Sequence, residues 1–158
     1  MTTRIGLATP VLAPLLPVTG TFTLPFALLS SLLSLRVVRY SLADDHYLGD
    51  NSAKDGGSAQ SQKTNKLFRA SRCHVNFLQN VPMAFILAAA VELNGGSRKA
   101  LTGALGSLFV LRVLHSEFEL LKEGGKGLGR AVGYMGTLGI QLGLAGYAAY
   151  LVKGYWGF

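Results

Sequence analysis

The sequence predicts an all-α integral membrane protein, built as a bundle of four transmembrane helices. Three observations predict it: 49% of the 158 residues are hydrophobic, only 15% are charged, and the apolar residues gather in four long runs. A soluble domain has roughly 25% charged residues, and a chain this short has too little interior to hide such an apolar excess. An ordinary soluble enzyme and a disordered protein are therefore not expected. The single cysteine, Cys73, excludes an intramolecular disulfide.

Each apolar run is long enough to cross about 30 Å of hydrocarbon as a helix. Backbone groups in lipid must bond within their own segment, which excludes isolated strands. Glycine, asparagine, serine or charged residues bound the runs, and loops are expected there. The four predicted helices, within a single domain of residues 1–158, cover residues 15–40, 73–93, 100–121 and 130–152.

The first run is expected to remain in the protein as a membrane span. A cleaved signal peptide is not expected, because the run is too long and ends at Arg36 and Arg39 without a small-residue cleavage site. The polar residues 41–66 are predicted to form one long flexible loop.

Basic residues predict how the helices are oriented. The two termini and the turn near Asn94 share one side of the membrane, which carries four basic residues. The other side comprises the loops 41–66 and 122–129 with the adjoining helix ends, and it carries ten. The positive-inside rule places these two loops in the cytoplasm, and we expect the endoplasmic reticulum or another intracellular membrane. Topology thus accounts for the net charge of +7, and no nucleic-acid partner is expected.

Polar residues inside the predicted helices are candidates for function, because ionisable groups are costly in a bilayer. At about 100° per residue, Arg72, Asn76 and Gln79 form a polar stripe along the cytoplasmic half of the second helix. The same arithmetic aligns two further sets: Arg112, His115, Ser116 and Glu119 on the third helix, and Arg130, Tyr134, Thr137 and Gln141 on the fourth.

Arginines together with asparagine, glutamine and tyrosine suit a small anionic ligand that carries carboxylates. A guanidinium group binds carboxylates bidentately and stays charged at any working pH. The same positive field would lower the pKa of a bound thiol below its usual value of about 8.5, and would favour the reactive thiolate. The residue types predict an anion and leave its identity open.

Several of these residues also have structural interpretations. Arg36, Arg39 and Arg72 could be interfacial anchors whose charged ends reach the headgroups. Arg112 is expected to pair with Glu119 or Glu117, or with Glu92 of a neighbouring helix, and to fix helix registry. No metal site is expected, because the histidines show no ligand grouping with cysteine or carboxylates. The glycines that recur along the fourth helix predict a groove for another helix.

Residues 69–82, Arg-Ala-Ser-Arg-Cys-His-Val-Asn-Phe-Leu-Gln-Asn-Val-Pro, together with residues 90–95, resemble the signature of the MAPEG family. These are membrane-associated proteins in eicosanoid and glutathione metabolism, with the pattern Arg-Ala-(His or Gln)-x-Asn-x-x-Glu-x-x-Pro. Four residues match this pattern in register: Arg72, His74, Asn76 and Pro82. Two more segments resemble motifs of the third and fourth helices: residues 112–115 and 129–134. The resemblance covers about residues 27–152.

This resemblance implies a homotrimer that holds glutathione, as co-substrate, between neighbouring subunits near the cytoplasmic side. The implied activity is a transferase or peroxidase that acts on a lipophilic electrophile or a lipid hydroperoxide, in lipid metabolism or detoxification. Arg130 corresponds to the arginine that stabilises the glutathione thiolate. The residues implied to bind glutathione are Arg72, Asn76, Gln79, Tyr134, Arg36, Arg39 and His74.

Three departures from the residues usual in the family bear on activity. Gln79 stands where the family usually has a glutamate, so an ion pair to the glutathione amine becomes a weaker neutral hydrogen bond. Glu119 stands where several members have a tyrosine, and its carboxylate would oppose the carboxylates of glutathione. Asn80 also replaces a frequent tyrosine. A non-catalytic lipid-binding or scaffold protein of the same fold is therefore kept as the alternative, with an ion or proton conductor as a third.

Overall fold

Four long α-helices follow one another along the chain, after a short antiparallel pair of strands. The computed structural model describes residues 3–4, 10–11, 15–44, 66–121 and 128–157, with the side chains of residues 118–131 outside the description. Thr3 pairs with Val11 between the strands. The elements are β1 Thr3–Arg4, β2 Pro10–Val11, α1 Pro17–Asp44, α2 Lys66–Leu93, α3 Arg98–Leu121, α4 Leu128–Leu151 and a 3₁₀ helix, Lys153–Trp156.

The four predicted helices are confirmed, but α2 begins earlier than the sequence predicted. The prediction placed its start at residue 73, and the structure places it at Lys66. Leu67 and Ala70 in this first part are buried against the bundle, so the helix extends beyond its most apolar stretch. The basic residues Lys66, Arg69 and Arg72 interrupt this part of the helix, so hydropathy alone predicts a start that is too late.

Most of the predicted loop 41–66 lies outside the described residues, and so do residues 122–127. The predicted loop bounds are wrong at the described ends, because residues 41–44 belong to α1, Lys66 begins α2 and Leu128 begins α4.

Within the part of the chain that the structure describes, two helices are long and apolar enough to cross a membrane: Pro17–Ala43 of α1 and Lys66–Leu93 of α2. The most apolar windows of these two segments are only 17% and 28% buried, whereas the core helix of a soluble protein would be mostly covered. Among the described residues, α3 and α4 do not reach the same hydropathy. Arg112 and the glycines of α4 lower it in these two helices.

The outer surface of α1 is unusually apolar. A soluble protein would not leave a contiguous stripe of large aliphatic side chains in water, whereas a bilayer solvates it. Spacings of three and four residues place the members of this stripe on one face. They are more than half exposed, and they are Leu24, Leu28, Leu32 and Leu35.

The core of the bundle lies where α1, α2 and α3 meet. The Phe26 ring of α1 contacts Phe85 of α2 and Phe109 of α3 edge to face, with centroid distances of 5.0 and 5.3 Å. Ala84 and Ala88 of α2 are fully buried, and such small side chains allow close approach of neighbouring helices. This packing sets the positions of the polar residues described below.

The amino terminus of α1 is capped by a carboxylate from α2. Glu92 Oε1 accepts a hydrogen bond from the Val18 backbone N–H at 2.7 Å. Glu92 Oε2 accepts from the Thr19 N–H at 2.9 Å and from the Thr19 hydroxyl at 2.7 Å. The first N–H groups of a helix have no partner within it, and a negative charge is favoured there. Glu92 thus ties the start of α1 to the end of α2.

The glycines of α4 fall into two groups. A Cβ at Gly133 would lie 2.9 Å from His115 Cβ, and one at Gly136 would lie 2.7 Å from Leu111 Cδ1. At these two positions the predicted close helix approach is confirmed, and the partner is α3. The second group faces open space in the described chain: Gly139, Gly143 and Gly146.

Candidate functional site

A buried arginine joins three helices in the half of the bundle where α2 begins. Arg112 of α3 is only 3% exposed. Its Nη1 donates to Asn76 Oδ1 of α2 at 2.7 Å. Its Nη2 donates to the Gly133 carbonyl of α4 at 2.6 Å and to the Thr137 hydroxyl. A guanidinium at membrane depth needs such acceptors, because lipid offers none.

The hydrogen bonds continue away from Arg112 along α2 and α4. The Thr137 hydroxyl donates to the Gly133 carbonyl at 2.8 Å. The Asn80 side-chain amide donates to the Asn76 carbonyl at 2.8 Å, and the Gln141 side-chain amide donates to the Asn80 carbonyl at 2.7 Å. We call these residues, with Arg112, the α2–α3–α4 network. Polar side chains that are hydrogen-bonded across helices in this way hold the helices in one arrangement.

The expected carboxylate partners of Arg112 lie elsewhere. Glu92 caps α1, and it is about 24 Å further along α2 than Asn76 at 1.5 Å per residue. Glu117 pairs with Arg36. Neither residue forms an ion pair with Arg112, and the acceptors described for it are a carbonyl, a hydroxyl and an amide oxygen. The side chain of Glu119, the third residue named, lies outside the described residues.

One predicted ligand residue, Arg36, forms an ion pair between α1 and α3. Its Nη2 lies 2.7 Å from Glu117 Oε1, and the two side chains are 36% and 44% exposed. An ion pair with both side chains exposed to this extent contributes little to stability. A ligand carboxylate would therefore compete with Glu117 for this arginine.

The other predicted binding residues differ in exposure. Arg72 and Gln79 on α2 are exposed, and Arg39 on α1 is exposed too. Tyr134 on α4 is 46% exposed, while His74 is half-buried. Only Asn76 of this set belongs to the α2–α3–α4 network.

The network also places several of these residues within about one helical turn of Asn76 along the bundle. Asn76 is joined to Gly133 through Arg112, and Tyr134 follows Gly133 directly. Arg72 lies one helical turn before Asn76, and Gln79 lies about one turn after it. Arg130 comes about one turn before Gly133 in α4, and its side chain lies outside the described residues.

Sequence reasoning missed part of this arrangement. It considered only carboxylates as partners of Arg112, so Thr137 was aligned with the polar stripe of α4 without being assigned to the arginine. A hydroxyl one turn from a glycine on a polar stripe is the signal that could have suggested it. The Gly133 carbonyl carries no signal in a sequence, because every residue has one.

A family model for the MAPEG family matches residues 19–150, which include all four helices except their outer ends. The chain belongs to the MAPEG family. The fold of this MAPEG chain is accordingly a helical membrane bundle, including α3 and α4, whose hydropathy alone did not identify them as spans. No curated protein and no solved structure matches the chain.

Family membership also gives a coarse assignment of function. MAPEG proteins associate with membranes and belong to eicosanoid and glutathione metabolism, and the family generally uses glutathione. The chain is therefore a membrane protein of that metabolic class.

Proposed function

We propose that this chain is a membrane-bound, glutathione-dependent transferase or peroxidase that acts on a lipophilic electrophile or a lipid hydroperoxide. The observation that carries the proposal is the arrangement around Asn76. This motif residue is fixed from behind by buried Arg112, while Arg72 and Gln79 of the same stripe face outward and Tyr134 lies at the same level. Such a surface offers many hydrogen-bond donors at one place beside lipid.

The donor set suits the chemistry of glutathione. The tripeptide has two carboxylates, which Arg72 and Arg39 can bind bidentately. Its peptide carbonyls accept hydrogen bonds, and Asn76, His74 and Tyr134 can donate them. Gln79 can accept from the ammonium group through its carbonyl oxygen. Arg36 joins the set when a carboxylate displaces Glu117.

In the proposed reaction, Arg130 stabilises the glutathione thiolate by fixed positive charge. In a transfer, the sulfur forms a bond to the electrophilic carbon, and the leaving group departs with its electron pair. In a peroxide reduction, the thiolate sulfur attacks the outer oxygen of the hydroperoxide, a sulfur–oxygen bond forms as the O–O bond breaks, and the lipid alkoxide takes up a proton to leave as an alcohol. The resulting sulfenic acid reacts with the thiol of a second glutathione, which gives the disulfide and water.

The active assembly in this proposal is a homotrimer, with glutathione between subunits. Arg72, Gln79 and Tyr134 are exposed on a single copy, and a neighbouring subunit would cover them. The open glycine face of α4 would allow close helix contact. The lipophilic substrate enters from the bilayer, and the segments that connect α1 to α2 and α3 to α4 face the cytoplasm of an intracellular membrane such as the endoplasmic reticulum.

Titration of the purified protein in detergent with glutathione tests the proposal. Binding should appear together with the ultraviolet absorbance of the thiolate. Arg130→Ala should bind glutathione without that absorbance and should lose conjugating activity, whereas Arg98→Ala, at the other end of the bundle, should behave as the wild type. Absence of binding up to millimolar glutathione would exclude the proposal.

A lipid-binding or scaffold protein is the second candidate, and the Arg36–Glu117 ion pair favours it. An arginine already neutralised by a carboxylate is a poorer anion site. If Arg130→Ala leaves any conjugating activity unchanged, this candidate gains over the enzyme.

A further inference from the structure

The Asn76 amide can take only one orientation towards Arg112. An asparagine side chain has one acceptor oxygen and one donor NH₂ group, and a guanidinium group can only donate. The atom that faces Arg112 Nη1 at 2.7 Å must therefore be Oδ1. Chemistry thus fixes the assignment, because a flipped amide would place two donors face to face.

Arg112 is itself held against rotation. Its second nitrogen donates to the Gly133 carbonyl and to the Thr137 hydroxyl, and Thr137 is fully buried. Turning the guanidinium away from Asn76 would break contacts to α4 in a region where no water replaces them. Arg112 therefore holds the Asn76 amide in one orientation.

The orientation leaves Asn76 Nδ2 pointing away from Arg112. Among the described residues, no group accepts a hydrogen bond from this nitrogen, and Asn76 is only half-buried. Its position on the stripe with Arg72 and Gln79 places the NH₂ group at the edge of the proposed ligand surface. The side chain can then offer that surface a donor and no acceptor.

We propose that Arg112 is a positioning residue that makes Asn76 a dedicated hydrogen-bond donor to a carboxylate or carbonyl oxygen of the bound ligand. The inference rests on the proposed function, in which the ligand is glutathione. It deepens that function by assigning the chemical groups of the peptide that Asn76 recognises. The ammonium group of glutathione is excluded from this position, because it would meet another donor.

Asn76→Asp is the sharpest test, because it keeps the shape of the side chain and reverses its chemistry. One carboxylate oxygen still accepts from Arg112, now as a charge-assisted bond, while the other replaces the donor with an acceptor. We expect the variant to remain folded, with a Tm equal to or above that of the wild type. Its affinity for glutathione should fall about tenfold or more. Asn94→Asp, the same change at the other end of α2, should leave the affinity unchanged.

A double-mutant cycle separates positioning from general support of the fold. Thr137→Val removes one anchor of Arg112 without touching Asn76, and it should weaken glutathione binding roughly threefold. In a chain that already carries Asn76→Ala, the same substitution should have no further effect on affinity, because Arg112 acts through Asn76. Two independent, additive losses would contradict the positioning role. The cycle also decides the question if Asn76→Asp fails to fold.

Titration calorimetry of the wild type and of these variants with glutathione distinguishes the possible failures. If the wild type binds and Asn76→Asp binds equally well, the positioning role of Arg112 is wrong and the proposed function stands. If the wild type does not bind at all, the proposed function fails, and the inference fails with it.

Discussion

Two buried charged residues, Glu92 and Arg112, are stabilised by similar hydrogen-bond partners but have different roles in the protein. Glu92 is 8% exposed and Arg112 is 3% exposed. The hydrogen-bond partners described for both are neutral groups: backbone N–H groups and a hydroxyl for Glu92, and a carbonyl, a hydroxyl and an amide for Arg112. Both charges are stabilised by oriented dipoles.

The difference lies in where each set of hydrogen bonds ends. Both oxygens of Glu92 accept from Val18 and Thr19, so the contacts end inside the protein. The contacts of Arg112 lead to Asn76, whose side chain is only half-buried and which we propose to border the ligand surface. A buried charge whose hydrogen bonds all end within the protein contributes only to stability. A buried charge that is hydrogen-bonded to a residue at a surface can also orient that residue as a donor to a ligand.

Removing the Glu92 side chain should have the largest effect on stability. Glu92→Ala leaves the Val18 and Thr19 N–H groups without their acceptor, and the free energy of unfolding should fall by about 3 kcal/mol. Glutathione affinity of the fraction that stays folded should be unchanged. Chemical denaturation in detergent measures the first quantity, and calorimetry measures the second. A large loss of glutathione affinity in Glu92→Ala would contradict the proposed difference in role between Glu92 and Arg112.

Arg112→Met should affect both quantities. Methionine fills much of the space with an apolar chain, and such a replacement recovers part of the stability of a buried charge. The free energy of unfolding should therefore fall by only about 2 kcal/mol, whereas glutathione affinity should fall more than in Glu92→Ala. Equal affinities for the two variants would contradict the assignment of Arg112 to the ligand surface.

The sequence was sufficient to predict the four helices and the residues of the polar stripe, for physical reasons. Apolar runs of membrane-spanning length and a fixed angle per residue determine both. It was insufficient for the partners of Arg112, because a carbonyl such as that of Gly133 is not encoded by residue type. It also did not predict that Glu92 caps α1, since that contact joins positions more than 70 residues apart. Such contacts depend on how helices pack, which periodicity within one helix does not specify.

The two groups of α4 glycines give a third test, with a smaller expected effect. Gly133→Ala places a Cβ against His115 beside the carbonyl that Arg112 uses, and it should lower the free energy of unfolding by about 2 kcal/mol. Gly143→Ala meets open space and improves helix propensity, so a single copy should gain roughly 0.5 kcal/mol.

The oligomeric state of the purified Gly133→Ala and Gly143→Ala variants should be measured as a control. If Gly143→Ala instead disrupts the assembly, the open face is covered by another subunit, and the proposed trimer is supported at that face. If both substitutions are harmless, the packing of α4 on α3 is looser than the structure describes.

The smallest effect on the free energy of unfolding is expected at the Arg36–Glu117 ion pair. Unlike Glu92 and Arg112, both of these side chains are partly exposed. Glu117→Gln should change the free energy of unfolding by less than about 1 kcal/mol, since exposed ion pairs contribute little. It should free Arg36 for a ligand carboxylate and raise glutathione affinity roughly threefold. Arg36→Gln is the matched control and should lower the affinity instead. If both variants bind as the wild type does, Arg36 serves only to hold α1 against α3, and the ligand surface is confined to α2 and α4.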